Sequence, residues 1–261
     1  MADDFPPGSV WLVGAGPGDV ELLTLKAARL IAAAEIVFYD ALVGPDILAL
    51  ATHAELVPVG KRAGRHSKDQ DAINGLLVEA ALLGKRVVRL KGGDPAIFAR
   101  SAEEMEACAR AGIPACICPG ITTASAAAAS AGISLSLRGV AREVRFVTAH
   151  SSNGAALDLD WTGLAASGAT LAFYMGRGAV GEIARRLIAA GLDRATPVLI
   201  ACNVSLPAER RLTTRLDLLE VATRAFAEDA PTLILVGEAL DAGSAASLAA
   251  PAMRTVTHGE P

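Results

Sequence analysis

No apolar run in this 261-residue chain approaches the roughly 20 residues that a membrane-spanning helix needs. The 52% apolar content, much of it alanine, therefore describes a buried core, and the chain is expected to be soluble with no membrane partner. The opening MADDFPPGS is acidic and lacks the basic region and apolar core of an export signal, so the expected location is cytoplasmic. Cysteine is scarce: Cys108, Cys116, Cys118 and Cys202 make no C-x-x-C pair and no zinc-type spacing, as in a reducing compartment. The histidines stand apart at 53, 66, 150 and 258, and no metal site is legible. A net charge of −4 argues against nucleic acid as a partner.

What is present is an alternation of short apolar runs and helical periodicity, which predicts an α/β protein of one large or two ordinary domains. Val10–Val13 reads as a strand entering the glycine loop GAGPGD, followed by a helix over Glu21–Ala34. A second strand, Glu35–Tyr39, ends at Asp40. A third, Glu55–Val59, leads into GKRAGRHSKDQ, which gathers Lys61, Arg62, Arg65, His66 and Lys68 before a helix over Gln70–Leu83. Val87, Val88 and Leu90 read as a buried strand that breaks at Gly92-Gly93, with a helix starting at Ser101 or Ala102. Ala115–Cys118 is a short strand running through PGITT into an alanine-rich helix.

Ligands of open α/β sheets bind beyond the carboxyl ends of strands, and paired glycines let a ligand approach bare backbone. GAGPGD, the basic loop, GGDP and PGITT all fall at such ends. GAGPGD with Asp40 also fits a dinucleotide-binding oxidoreductase, but the spacing is not G-x-G-x-x-G and Pro17 removes an N–H from the loop. The basic loop reads either as a solvated face or as a seat for an anionic substrate.

SLSLRGVARE, Ser134 to Glu143, reads as a linker. Beyond it Val144–Thr148, Thr170–Met175, Val198–Cys202 and Leu233–Val236 are strand-like, and Val180–Ala190 and Leu216–Phe226 helical. Glu209–Thr214 offers a strand that would make the second sheet mixed. The expected domains are 9–134 and 140–240, with loose tails at 1–8 and 241–261.

GAGPGDVELLTLKA, GKRAGRHSKDQDAIN, RLKGGDPAIFAR, PGITTASAA, FYMG and PTLILVGE occur in that order and resemble the tetrapyrrole methylase superfamily. Within it, the K-R-x-G-x-H-S-x-x-Q-x-x-I-N loop is similar to the members that methylate uroporphyrinogen III rather than to the later precorrin C-methyltransferases, which remain the alternative. The resemblance implies a class III methyltransferase fold, with S-adenosylmethionine held in a cleft between two α/β domains of a homodimer. It also implies two successive methylations, at C2 and C7, giving precorrin-2 for sirohaem- or cobalamin-type synthesis and S-adenosylhomocysteine as coproduct.

By the same resemblance Pro17, Gly92, Gly93, Asp94, Thr122, Thr123, Met175, Val204 and Thr232 are the cofactor positions. Arg100, Glu103 and Arg138 would serve substrate binding and proton removal, and Lys61, Arg62, Arg65 and His66 would gather the substrate's carboxylates. Read from the residues alone, Met175 also fits core packing, Thr122 and Thr123 helix capping, and Glu103 a first-turn acid. An arginine three residues away would orient Glu103 but lower its basicity, so a base there requires burial. The chain departs from the family where G-R-G-G-E-E becomes Ala99 to Glu104 and where T-H-R-G becomes Ser136-Leu137-Arg138-Gly139.

Overall fold

The protein is described from a computed structural model covering residues 4–60, 70–149 and 157–241. Its contacts divide the chain into two units, one reaching to Ala126 and including Asn203–Arg210, the other formed by Ala127–Cys202 and the chain from Arg211 onward. The division thus falls inside a helix rather than in the expected linker, and eight residues from the second half belong to the first unit.

The first unit holds strands β1 (Val10–Gly14), β2 (Ile36–Tyr39), β3 (Glu55–Pro58), β4 (Val87–Lys91) and β5 (Ala115–Cys118) in the order β3-β2-β4-β1-β5. Every neighbouring pair is parallel. Parallel strands are buried on both faces, and β1 and β4 are buried at every residue. Their side chains alternate between two cores. Trp11, Val13, Val88 and Leu90 pack with Leu30 and Ile31 of α1 (Leu25–Ala33), whereas Val10, Leu12 and Val87 pack with Ile73 and Leu77 of α3 (Gln70–Leu82).

The expected helix over Glu21–Ala34 is broken in two. A single 3-10 turn, Val20–Leu22, capped by Asp19, precedes α1, which starts after Thr24, whose hydroxyl accepts from the Ala27 N–H at 3.0 Å. The short α2 (Pro45–Leu48) escaped the sequence reading because four residues carry no helical period. Residues 4–8, expected to be loose, are packed. Phe5 is only 1% exposed, its carbonyl accepts from Arg86 Nε, and the Asp4 carbonyl accepts from Trp11 Nε1. The other expected tail lies, from residue 242, outside the described residues.

The second unit is a mixed sheet of β6 (Val144–Thr148), β7 (Thr170–Tyr174), β8 (Pro197–Cys202), β9 (Arg210–Arg215) and β10 (Thr232–Val236), ordered β6-β7-β10-β8-β9. Strand β10 inserts antiparallel between β7 and β8, while β6 and β7 are parallel. Its main core joins Leu171, Phe173, Ile200 and Ile234 to Ile183 and Leu187 of α7 (Val180–Ala189) and Leu219 of α8 (Leu219–Phe226). A short helix, α6 (Trp161–Ala166), was not foreseen. The expected linker is partly ordered. Leu137 and Ala141 exchange two backbone hydrogen bonds of 2.8 Å around a tight turn with Gly139 at φ +81°, the geometry of a type II turn. No helix among the described residues is long and apolar enough to cross a membrane.

Candidate active site

Parallel strands share their carboxyl ends, so the loops after β1, β4 and β5 meet at one edge. Gly16 and Gly93 exchange backbone hydrogen bonds, with Gly93 N–H donating to Gly16 at 2.7 Å and Gly16 N–H donating to Gly93 at 3.2 Å. Any Cβ on Gly14 would lie 2.6 Å from the Cα of Gly120, and one on Gly120 would lie 2.3 Å from the Gly93 carbonyl oxygen. Glycine is therefore required for close approach, and GAGPGD, GGDP and PGITT interlock through bare backbone. This edge brings Pro17, Gly92, Gly93, Asp94, Thr122 and Thr123 together. The Thr122 carbonyl accepts from the N–H groups of Ser125 and Ala126 at the start of α5 (Thr123–Ala131).

The segment Asn203–Arg210 closes on the first of these loops. The Asp19 N–H donates to Ser205 Oγ at 3.0 Å, and a Cβ on Gly18 would strike the Leu206 side chain. Val204, buried between Asn203 and Ser205, sits where both neighbours have positive φ, +50° and +64°.

Phe98 and Arg100 are likewise left-handed, at +50° and +55°, as is Met175 at +56°. Such positions in bulky residues cost free energy and cluster at functional sites.

In the second unit Met175 follows β7 and is 51% exposed, which excludes core packing. Thr232, at the start of β10, pairs with Cys202, and its hydroxyl donates to the Ala230 carbonyl at 2.8 Å. Arg138 is exposed in the type II turn. Lys61, Arg62, Arg65 and His66 lie outside the described residues.

Arg100 precedes α4 (Ser101–Arg110), and its Nε and Nη2 donate to the two oxygens of Glu103 at 2.7 Å each. Both side chains are about half exposed. The Arg100 guanidinium holds the Glu103 carboxyl below the usual carboxylate range, and Glu103 in turn raises Arg100. The burial that a general base would need to offset this is not present.

One turn position on, Glu104 is fully buried. Its carboxylate accepts from Lys91 Nζ at 2.8 and 2.9 Å, from Arg89 Nε at 3.0 Å and from Gln70 Nε2 at 3.3 Å. Arg89 Nη2 donates 2.6 Å to Asp40 Oδ1, at the carboxyl end of β2. Burial pulls the Lys91 ammonium below its ordinary value, against the attraction of Glu104. Sequence reading missed this group. Its signal was the pair of cations two apart in RVVRLK, which puts both on one face of a strand that is covered on both.

The model for tetrapyrrole (corrin/porphyrin) methylases matches residues 9–220. The uroporphyrinogen-III C-methyltransferase of Paracoccus denitrificans (strain Pd 1222) is 48% identical over 257 residues, covering 97% of this chain and 90% of that protein. The siroheme synthase of Pseudomonas aeruginosa (strain UCBPP-PA14) is 48% identical over 232 residues, covering 88% of this chain but 50% of that protein, so the chain spans about half its length. The crystal structure of uroporphyrin-III C-methyl transferase from Thermus thermophilus complexed with S-adenyl homocysteine superposes with a TM-score of 0.77 at 39% identity, covering 90% of this chain and 99% of that one. A cobalt precorrin-4 methyltransferase superposes with a TM-score of 0.80 at 30% identity, covering 90% of this chain and 96% of that one. With its interlocked glycine loops and a family match over residues 9–220, the chain belongs to the tetrapyrrole methylase family.

Proposed function

We propose that the chain methylates uroporphyrinogen III twice, at C2 and C7, using S-adenosylmethionine and yielding precorrin-2 and S-adenosylhomocysteine. The observation that carries this reading is the glycine interlock at the carboxyl edge of the parallel sheet, seen together with 48% identity to a uroporphyrinogen-III C-methyltransferase. The site residues fit such a cofactor. Gly92 is exposed with nothing nearer a built Cβ than Leu42 at 3.7 Å, leaving open space over bare backbone, and Pro17 makes the neighbouring loop a poor phosphate cradle. When bound, S-adenosylmethionine supplies an electrophilic methyl group on a sulfonium.

The protein's part is alignment, which lowers much of the barrier for a carbon nucleophile attacking in line. Gly92, Gly93, Asp94, Thr122 and Thr123 bind the cofactor through backbone and small hydroxyls, with Pro17, Val204, Met175 and Thr232 shaping its seat. Arg100 and Arg138 take substrate carboxylates by charge-assisted hydrogen bonds, and Lys61, Arg62, Arg65 and His66 gather the outer ones. Glu103 orients Arg100, consistent with its two hydrogen bonds and its weakened basicity. A homodimer in the cytoplasm completes the reading; exposed Val144 and Phe146 on the edge strand β6 supply apolar surface for association, and the four cysteines are free.

Calorimetry with S-adenosylmethionine and with NAD, followed by mass analysis of uroporphyrinogen III turned over by the protein, tests the proposal. Binding of the first nucleotide only and the gain of two methyl groups are expected. Binding of NAD alone, or methylation only of an already methylated ring, would replace it with the oxidoreductase or the later-methylase reading.

A further inference from the structure

Val204 lies in the segment Asn203–Arg210, which closes on GAGPGD, and is 4% exposed. Neither its N–H nor its carbonyl has a hydrogen-bond partner among the described residues, a rare state for the backbone of a buried residue. Its neighbours in the turn are engaged. The Asn203 carbonyl accepts from the Leu206 N–H at 3.0 Å, the Leu206 carbonyl accepts from the Glu209 N–H at 2.8 Å, and the Ser205 N–H donates to Glu209 Oε2 at 2.6 Å.

The last of these bonds decides where the open carbonyl points. A trans peptide is planar, with its C=O and N–H directed oppositely, and the Val204 carbonyl shares its plane with the Ser205 N–H. By drawing that N–H to itself, Glu209 turns the Val204 carbonyl to the far side. The orientation is not the relaxed one, because it needs Asn203 at φ +50° and Ser205 at φ +64°. Asparagine tolerates the left-handed region better than serine does. Ser205 is held there from two sides, by Glu209 at its N–H and by the Asp19 N–H, which donates to its Oγ at 3.0 Å. A hydrogen bond to a carboxylate is of the strong kind and offsets a local backbone cost of this sort.

We infer that Glu209 is a positioning residue for the methyl donor: acting through the Ser205 peptide, it aims the Val204 carbonyl into the cofactor seat as a ready acceptor. S-adenosylmethionine carries N–H donors on its ammonium and on its aminopurine, so an unused main-chain acceptor suits it. Glu209 itself need not touch the cofactor. This inference rests on the methyl-transfer reading above.

The test is calorimetry of S-adenosylhomocysteine on the purified protein, with Glu209→Ala and Glu209→Gln beside the parent. Glu209→Ala should bind about 10-fold more weakly, as when the competent turn is populated about a tenth of the time. Glu209→Gln keeps an acceptor oxygen and should stay within about 3-fold of the parent. The KM for S-adenosylmethionine should rise in Glu209→Ala while kcat holds, since what is lost is the population that binds. Its melting temperature should stay within about 4 °C of the parent. A Glu209→Ala protein that binds like the parent overturns the inference. So does a Glu209→Gln protein as weak as Glu209→Ala, or a fall in kcat with KM unchanged. If Glu209→Ala does not fold, Glu209→Asp, whose shorter side chain withdraws the acceptor, decides by the same criteria. Failure of the parent itself to bind S-adenosylmethionine or S-adenosylhomocysteine would instead remove the methyl-transfer reading.

Discussion

Arg100 grips both oxygens of Glu103 with two parallel hydrogen bonds of 2.7 Å, on a residue whose own backbone is left-handed. The pair fixes the direction of a cation rather than the basicity of an acid. Glu103→Gln should therefore raise the KM for uroporphyrinogen III by several-fold and leave the single-turnover rate at saturation nearly unchanged. The lowered carboxyl keeps the pair ionised throughout the neutral range, and it breaks only as acid carries the solution down through the depressed value. A large drop in the saturated rate would return the proton-accepting role to Glu103.

Gly92 and Gly93 should part company on substitution. Gly92 has no positive φ and open space, so Gly92→Leu should fold and lose cofactor affinity, whereas Gly93, at φ +69°, should lose stability by about 1 kcal/mol or more with any bulky residue. Thermal melts alongside calorimetry separate the two. Undiminished affinity in a folded Gly92→Leu protein would move the site elsewhere.

Glu104→Ala should be among the most damaging single changes in the chain, by about 3–5 kcal/mol, because it strands the buried charges of Arg89 and Lys91. Urea titration measures this. A loss below about 1 kcal/mol would mean that water reaches the vacated space.

The amino-terminal segment should stabilise the fold measurably. Phe5→Ala should cost about 3–5 kcal/mol, as expected for truncating a fully buried aromatic. Asp4 is held to a pKa of about 2, first by its hydrogen bonds from Arg29 and then by Lys26. A depressed carboxyl stabilises above its unfolded value of 3.8 and ceases to do so as pH falls through about 2. The melting-temperature gap between the parent and Asp4→Asn should thus be full at pH 6 and close toward pH 2. A gap that persists unchanged in acid would assign the effect to packing.

Much of this was legible before any coordinates. Strands such as Val87–Lys91 are buried on both faces and announce themselves as apolar runs, and glycines at their carboxyl ends mark the loops that interlock. What stayed hidden depends on long-range contact. Glu104 looked like another first-turn acid beside Glu103, since helical spacing does not tell which of two adjacent acids turns inward. Phe5 sat among acids and prolines with no period to reveal its burial. Met175 offered no sign that it would be half exposed, and the two-unit division could not follow linear order when Asn203–Arg210 returns to the first unit.

That return has a consequence for anyone who would dissect the molecule. The chain passes between its units three times, after residues 126, 202 and 210, so no single cut yields two self-contained pieces. A fragment ending at Ala126 would keep all five parallel strands but lack Ser205, which receives the Asp19 N–H, and Leu206, which walls Gly18. Adding a synthetic peptide of residues 203–210 to such a fragment should restore what the cut removed, and the first loop to respond would be GAGPGD.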